Sequence, residues 1–184
     1  MRSTKTIFVD IDGCFADFVG AVLKIHNADP KILETFKGDY EITKHLNMTP
    51  YDFWDRIEQD PGFWHNLEKT PEADPLMAFL EEKAEPKNIF FCSSPSHDPR
   101  SHYGKAHWIK KHYPNYISRL ILTNHKHLLG QYNRVLIDDS NANCTKFKDR
   151  GGHPVLLPRP WNKKHTIRPE DALEHVITEL RRTI

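Results

Sequence analysis

Two carboxylates stand one residue apart in Asp10-Ile11-Asp12-Gly13-Cys14, directly after the apolar run Ile7-Phe8-Val9. Residues i and i+2 of a strand share a face, and Gly13 lets the chain turn there. At the end of a buried strand such a pair makes a site for a divalent cation and a phosphoryl group. One carboxylate can attack phosphorus while its other oxygen holds the metal, and the second can protonate the leaving oxygen. The plain alternative is a solvated turn or a fragment of a calcium loop. The full loop pattern D-x-[DN]-x-[DN]-G fails, because Gly13 follows the second aspartate immediately.

Further candidates follow the later apolar runs. Cys92-Ser93-Ser94-Pro95 follows Ile89-Phe90-Phe91. Hydroxyls beside turning backbone N–H groups bind phosphate oxygens, although taken alone this stretch is better explained as a helix cap or serine turn. Lys105 opens the next helical pattern, where it could neutralise a phosphoryl oxygen and the nucleophile; a solvated surface lysine is the ordinary alternative. Lys126, in Thr123-Asn124-His125-Lys126, is a second candidate for the phosphate, with the same alternative. Asp138-Asp139 follows Val135-Leu136-Ile137. Adjacent buried acids repel each other, and a bound Mg²⁺ relieves that repulsion. The alternative, an N-terminal cap for the next helix, is a role that already belongs to Ser140. His102, His107, His112, His125 and His127 show no zinc-ligand spacing and read as surface histidines.

The elements that must position these residues follow from the apolar runs. Ile7–Val9, Ile89–Phe91, Leu120–Leu122, Val135–Ile137 and Val155–Leu157 do not alternate with polar residues, so they read as strands of a parallel sheet buried on both faces. Helical patterns lie between them, over Pro75–Lys83, Tyr103–His112 and Glu170–Arg182, with another running from Ser140 to Gly151-Gly152. This alternation predicts a doubly wound α/β sheet with its site at the strands' carboxyl ends. The segment between the first two strands is too long for a simple crossover and shows no strand pattern. Residues 17–72 are therefore expected to form a small helical cap, with 1–16 and 73–184 forming the core.

The 184 residues carry 26 Lys and Arg against 25 Asp and Glu, for a formal net charge of +1. That near-balance argues against an extended nucleic-acid surface. Cys14, Cys92 and Cys144 are sparse and odd in number, which fits a reducing compartment rather than a disulfide framework. No run reaches the ~18 apolar residues of a membrane span. A cytoplasmic protein without membrane contact is expected, and a homodimer is left open.

The four strand-end groups together resemble the haloacid dehalogenase (HAD) superfamily of phosphatases. Asp10-Ile11-Asp12-Gly13 resembles its first motif, Ser93 its second, Lys105 its third and Asp138-Asp139 its fourth. The resemblance implies an HAD-like core, with Asp10 as the nucleophile that becomes an aspartyl-phosphate. It implies Asp12 as general acid/base and as a Mg²⁺ ligand through its backbone carbonyl. Ser93, Ser94 and Lys105 would hold the phosphoryl group, and Asp139 would ligate Mg²⁺ with Asp138 supporting it.

Within that superfamily the chain is most similar to the 5′(3′)-deoxyribonucleotidases. The similarity rests on Asp10 to Phe18, Phe63-Trp64-His65-Asn66-Leu67, Cys92 to Pro95, Lys105-Ala106-His107-Trp108 and Leu136 to Asp139. It implies a nucleoside monophosphate substrate, deoxyribonucleotides first, with Phe18, Trp54 and Trp64 lining an aromatic pocket for the base. Ser93 stands where mammalian members carry threonine. His97 stands where they carry a substrate-contacting lysine, and it would bind phosphate when protonated. The resemblance is weak around Gly38-Asp39-Tyr40-Glu41-Ile42, where the base pocket is completed. Two alternatives remain from sequence: the same chemistry on a sugar phosphate or a nucleic-acid 3′-phosphate, and a non-catalytic binding protein on this fold.

Overall fold

A computed structural model describes residues 3–184. Five strands form one sheet: β1 (Thr6–Val9), β2 (Ile89–Ser93), β3 (Leu120–Leu122), β4 (Arg134–Asp138) and β5 (His153–Leu156), in the order β3-β2-β1-β4-β5. Every pairing is parallel, and central β1 sets Ile7 opposite Ile89 on one side and Val135 on the other. The last strand begins at His153, ahead of the apolar run that announces it, and ends at Leu156. After β3 the chain crosses back over β1 to lay down β4. The sheet's switch point therefore falls at β1, where crevices open at the strands' carboxyl ends.

The sheet is apolar on both faces. Ile7, Val9, Phe91, Val135 and Ile137 join one core cluster, while Phe8, Cys92 and Leu136 pack with Phe147 in a second. Neighbouring side chains point to opposite faces, so both positions of each pair must be apolar.

Among the described residues eight α-helices connect and cover the strands: α1 (Phe18–Ile25), α2 (Leu33–Phe36), α3 (Ile42–His45), α4 (Pro50–Glu58), α5 (Ala73–Lys83), α6 (Pro99–His112), α7 (Asn141–Asp149) and α8 (Ala172–Thr183). Helix α6 starts one turn before its apolar pattern. Pro99 occupies its first turn, and the Asp98 carboxylate accepts the Arg100 N–H at 3.0 Å. Ser140 caps α7 as expected, accepting the Asn143 N–H at 3.3 Å. Gly151, at φ +86°, ends that helix: its N–H donates to the Lys148 carbonyl, and that of Gly152 to the Phe147 carbonyl.

We propose residues 17–72 as the cap. Among the described residues they hold helices α1 to α4 and no strand. This segment is packed rather than loosely hung. Phe18, Val22, Phe36, Phe53 and Ile57 share the apolar cluster of the sheet face. The Trp108 indole N–H of α6 donates to the Leu67 carbonyl at 2.8 Å, and the Gly38 N–H donates to the Pro160 carbonyl at 2.8 Å. No helix among the described residues is long and apolar enough to cross a membrane.

Helix α6 meets the Phe63-Trp64 segment at Gly104, where an added Cβ would lie 2.3 Å from the Trp64 Cβ and 3.3 Å from its backbone. Neither atom can swing away. Gly104→Ala should therefore cost about 1–3 kcal/mol of stability, as overpacked contacts do. Urea unfolding measures this, and an unchanged midpoint would mean that the two segments part freely.

Candidate active site

The site is built on the end of β1. The Asp10 N–H still belongs to the sheet, donating to the Ile137 carbonyl at 2.9 Å, while its carboxylate accepts the Ile11 N–H at 2.7 Å. Gly13 then turns the chain at φ +69°, and its N–H donates to the Ala16 carbonyl at 2.8 Å. A Cβ on Gly13 would sit 2.1 Å from Asp139 Oδ2. Glycine is thus required twice, for the left-handed backbone and for the approach of the second acidic pair. Asp138 closes β4 and Asp139 follows it. Asp10, Asp138 and Asp139 are all buried and bring carboxylate oxygens within 4.8 Å of one another.

Two buried lysines oppose these acids, and the structure pairs them differently from the order of the motifs. The motif order points to Lys105 as the cation facing the nucleophile. In the structure that cation is Lys126, whose Nζ lies 2.7 Å from Asp10 Oδ2 and 2.7 Å from Asp138 Oδ2. Lys126 is 2% exposed, which excludes a solvated lysine. Lys105, also buried, instead pairs with Asp12 Oδ2, and its ammonium lies 4.7 Å from the centre of the Trp64 ring. The connection from β3 to β4 carries Lys126 beneath the site in a short 3₁₀ turn, Lys126–Leu129. Spacing along the chain does not reveal that path.

Burial dominates the electrostatics. It raises the Asp12 carboxyl above the usual carboxylate range; Lys105 opposes that rise and Asp10 adds to it. Asp138 is pushed up to about 6 by burial, against the pull of Lys126. Asp139 is raised well above the usual range by burial and then by the charges of Asp138 and Asp10. Burial alone would lower the Lys126 ammonium, but Asp10 and Asp138 outweigh it and hold it well above its ordinary value. A crowded set of hard oxygen donors with raised pKa values is the setting a divalent cation such as Mg²⁺ fits. The two acids of the pair are not equivalent. Asp138 already accepts from Lys126, the Ser140 N–H at 2.8 Å and the Asn143 amide at 3.1 and 3.2 Å. Asp139 accepts at Oδ2 from the Trp161 indole N–H at 2.7 Å. Asp139 is therefore the freer to take a metal.

Several supporting residues escape the sequence reading. The loop after β5 supplies Arg159, Trp161 and Asn162. The Asn162 amide donates to the carbonyls of Asp139 at 2.9 Å and Leu157 at 2.7 Å. Arg159 donates through Nε to the Gly13 carbonyl at 2.7 Å and through both terminal nitrogens to Glu72 at 3.0 Å. The available signal was Pro158-Arg159-Pro160-Trp161-Asn162 itself, a tryptophan outside any helical or strand pattern.

The phosphate-binding candidates divide. Ser93 is fully buried, and its hydroxyl has no hydrogen-bond partner among the described residues; one oxygen of Asp12 shares that condition. Buried polar atoms are rarely left so, and both fit a site that receives a polar ligand. Ser94 donates to the Thr123 carbonyl at 3.3 Å. Ser94 and exposed His97 both line a cavity of about 630 Å³ that opens onto Asp10, Asp12 and Asp139. Its other wall is aromatic. Phe18 and Trp64 stack with centroids 5.5 Å apart and planes 12° from parallel, while Phe53 meets Trp54 edge-on at 5.0 Å. Phe18, Trp54 and Trp64 thus line one cavity, joined by Tyr40 and Ile42 from the stretch where the resemblance is weak, and by Phe53 and Glu58, which the sequence did not single out.

Residues 4–176 match the model of one family, 5′ nucleotidase, deoxy (pyrimidine), cytosolic type C protein. The chain belongs to this family. Relatives of this nucleotidase include the human cytosolic-type 5′(3′)-deoxyribonucleotidase, 28% identical over 153 residues that span 77% of this chain and 74% of that one. A putative 5′(3′)-deoxyribonucleotidase of Staphylococcus epidermidis is 28% identical over 137 residues, 73% and 71% of the two chains. Among solved structures, a haloacid dehalogenase-like hydrolase from Xanthomonas campestris shares the nucleotidase's fold with a TM-score of 0.55 at 10% identity, over 100% of this chain and 96% of that one. The HAD-hydrolase YfnB of Bacillus subtilis, crystallised with magnesium, gives 0.54 at 11% identity over 85% and 87%.

The Arg159–Glu72 pair is buried on both sides, at 10% and 8% exposure. Arg159→Ala would strand the Glu72 charge and free the Gly13 carbonyl. We expect a loss of about 3–5 kcal/mol, as for a broken buried pair, with partial recovery in the double variant Arg159→Ala/Glu72→Gln. Chemical denaturation of the three proteins checks it; a double variant no better than the single one would remove the stranded charge as the cause.

Proposed function

We propose that this chain is a Mg²⁺-dependent phosphate monoester hydrolase acting on nucleoside monophosphates, deoxyribonucleotides first, through an aspartyl-phosphate on Asp10. The observation that carries the reading is one cavity with two unlike walls: carboxylates and hydroxyls at the strand ends, and stacked aromatics facing them. A phosphate suits the first wall and a planar base the second.

An Asp10 oxygen attacks phosphorus in line, and the bond to the leaving hydroxyl oxygen breaks. Asp12, whose carboxyl burial raises above its usual range, gives that oxygen its proton. Asp12 then takes a proton from water as the water attacks the acyl phosphate, freeing phosphate and restoring the Asp10 carboxylate. Lys126 lies against Asp10, where it steadies the carboxylate before attack and is free to face the phosphoryl oxygens after it. Lys105 keeps Asp12 oriented. Ser93 would donate its unpartnered hydroxyl to a phosphoryl oxygen, beside Ser94, with His97 reaching the phosphate from the rim. Held by Asp10, Asp139 and the Asp12 carbonyl, Mg²⁺ would supply charge neutralisation to the phosphoryl oxygens. Phe18, Trp64 and Trp54 take the base, and the cap excludes bulk water.

Asp10→Asn should abolish Mg²⁺-dependent phosphate release while leaving the thermal midpoint near that of the parent; retained turnover would sink the mechanism. A release assay across nucleotides, sugar phosphates and 3′-phosphorylated oligonucleotides separates the substrate classes, and faster turnover of either non-nucleotide class would overturn the substrate assignment. Trp161→Phe removes the hydrogen bond that orients Asp139. It should raise the Mg²⁺ concentration for half-maximal rate by ~10–100-fold, the usual effect of losing such a partner. A Mg²⁺ titration at saturating substrate measures it, and an unshifted half-point would remove Asp139 from the ligand set.

A further inference from the structure

Trp64 faces two ways. It lines the cavity as part of the aromatic wall, and its ring also lies against the ammonium of buried Lys105, 4.7 Å from the ring centre. Among the described residues, the single hydrogen bond of that ammonium goes to Asp12 Oδ2. An ammonium carries three N–H donors, and the electron-rich indole face offsets what the one carboxylate oxygen leaves unmet. The contact is secured along α6. Gly104 lets the helix approach so closely that an added Cβ would meet the Trp64 backbone at 3.3 Å. Further along the helix, the Trp108 indole N–H donates to the Leu67 carbonyl at 2.8 Å. Phe18 stacks on Trp64 at 5.5 Å and Phe63 meets it edge-on at 5.2 Å, which fixes the plane of the ring.

We propose that Trp64 is a positioning residue for proton delivery: its ring seats Lys105, Lys105 grips one oxygen of Asp12, and the other oxygen is thereby aimed at the leaving group. This deepens the phosphatase reading above and rests on it. Asp12 lines the cavity, and its Oδ1 is buried without a hydrogen-bond partner among the described residues. As the bond from phosphorus to the leaving oxygen breaks, the proton on Asp12 passes to that oxygen, and the carboxylate left behind stays paired with Lys105. Such a transfer demands hydrogen-bond reach, and a carboxyl free to turn loses it. Without the indole face, other rotamers open to the long Lys105 side chain, and its grip on Asp12 loosens. The wall assigned to the base therefore also holds the acid, through one lysine between them.

Substrates without a base separate this role from stacking. Deoxyribose 5-phosphate releases an alcohol, which needs a proton; acetyl phosphate releases a carboxylate, which does not. Trp64→Leu should lower the ratio of kcat/KM for deoxyribose 5-phosphate over acetyl phosphate by roughly tenfold, the worth of a buried cation–π contact. Trp64→Phe, which keeps a ring face, should recover most of it. Each ratio is taken within one variant, so a general loss of activity or of folded protein cancels. Lys105→Met should lower the same ratio, and adding Trp64→Leu to it should lower it no further, because Trp64 acts through Lys105. A ratio unchanged in Trp64→Leu, or a double variant in which the two losses multiply, overturns the inference and leaves the phosphatase reading standing. A parent that releases phosphate from no nucleotide and from neither small ester overturns the catalytic reading, and the inference with it.

Discussion

The site depends on the sharing of the Lys126 ammonium between Asp10 and Asp138. Four carboxylates, Asp10, Asp12, Asp138 and Asp139, meet at the carboxyl end of the sheet, and the ammoniums of Lys105 and Lys126 oppose them. If all are ionised, two negative charges remain in a setting that penalises charge heavily. The raised carboxyls of Asp12, Asp138 and Asp139 express that imbalance. A divalent cation held by these acids would offset that excess and, in the proposed reaction, the negative charge that a phosphoryl group brings. Lys126 cannot be moved to the surface in this scheme, because without it two buried acids would face each other directly.

Holding charges this close requires rigid backbone, and the loop after β5 supplies it. Arg159 reaches back to the Gly13 carbonyl, Asn162 to the Asp139 carbonyl and Trp161 to the Asp139 carboxylate. One short stretch therefore ties the first acidic motif to the last. The same stretch contacts the proposed cap, through the Gly38 N–H on the Pro160 carbonyl and through Phe36 and Tyr40 against the Trp161 ring. Floor and wall of the cavity share one anchor, so a shift of the cap is felt at Asp139.

Sheet and acidic motifs were legible in the sequence for a physical reason. A strand buried on both faces must be apolar at every position, and a polar residue at its end stands out against that run. Asp10, Ser93 and Asp138-Asp139 are each marked in this way, and the structure places all of them at the carboxyl end of the sheet. The lysines were not legible to the same degree. Lys105 sits in a helical pattern and Lys126 in an irregular segment, and which of them reaches Asp10 is decided by a turn that carries no periodicity. Arg159, Trp161 and Asn162 were missed for a related reason: their value lies in contacts more than 20 residues away in sequence, to Asp139, and further still to Gly13 and Glu72.

The two walls of the cavity answer to different constraints. On the floor, geometry leaves almost no freedom. Gly13 tolerates no side chain against Asp139, and Asp138 has its oxygens committed to Lys126, Ser140 and Asn143. The aromatic wall is held by stacking and apolar contact, which accept rings of several shapes and orientations. Phe18 and Trp64 lie parallel, Phe53 and Trp54 cross at 88°, and Trp54 is 36% exposed. A wall of this kind can change its polar groups without disturbing the acids beneath it. Phosphoryl chemistry can therefore be read from the strand ends with the cap ignored, whereas the leaving group cannot: the cavity residues that would meet it, such as Trp54 and Tyr40, stand on elements whose packing would tolerate others.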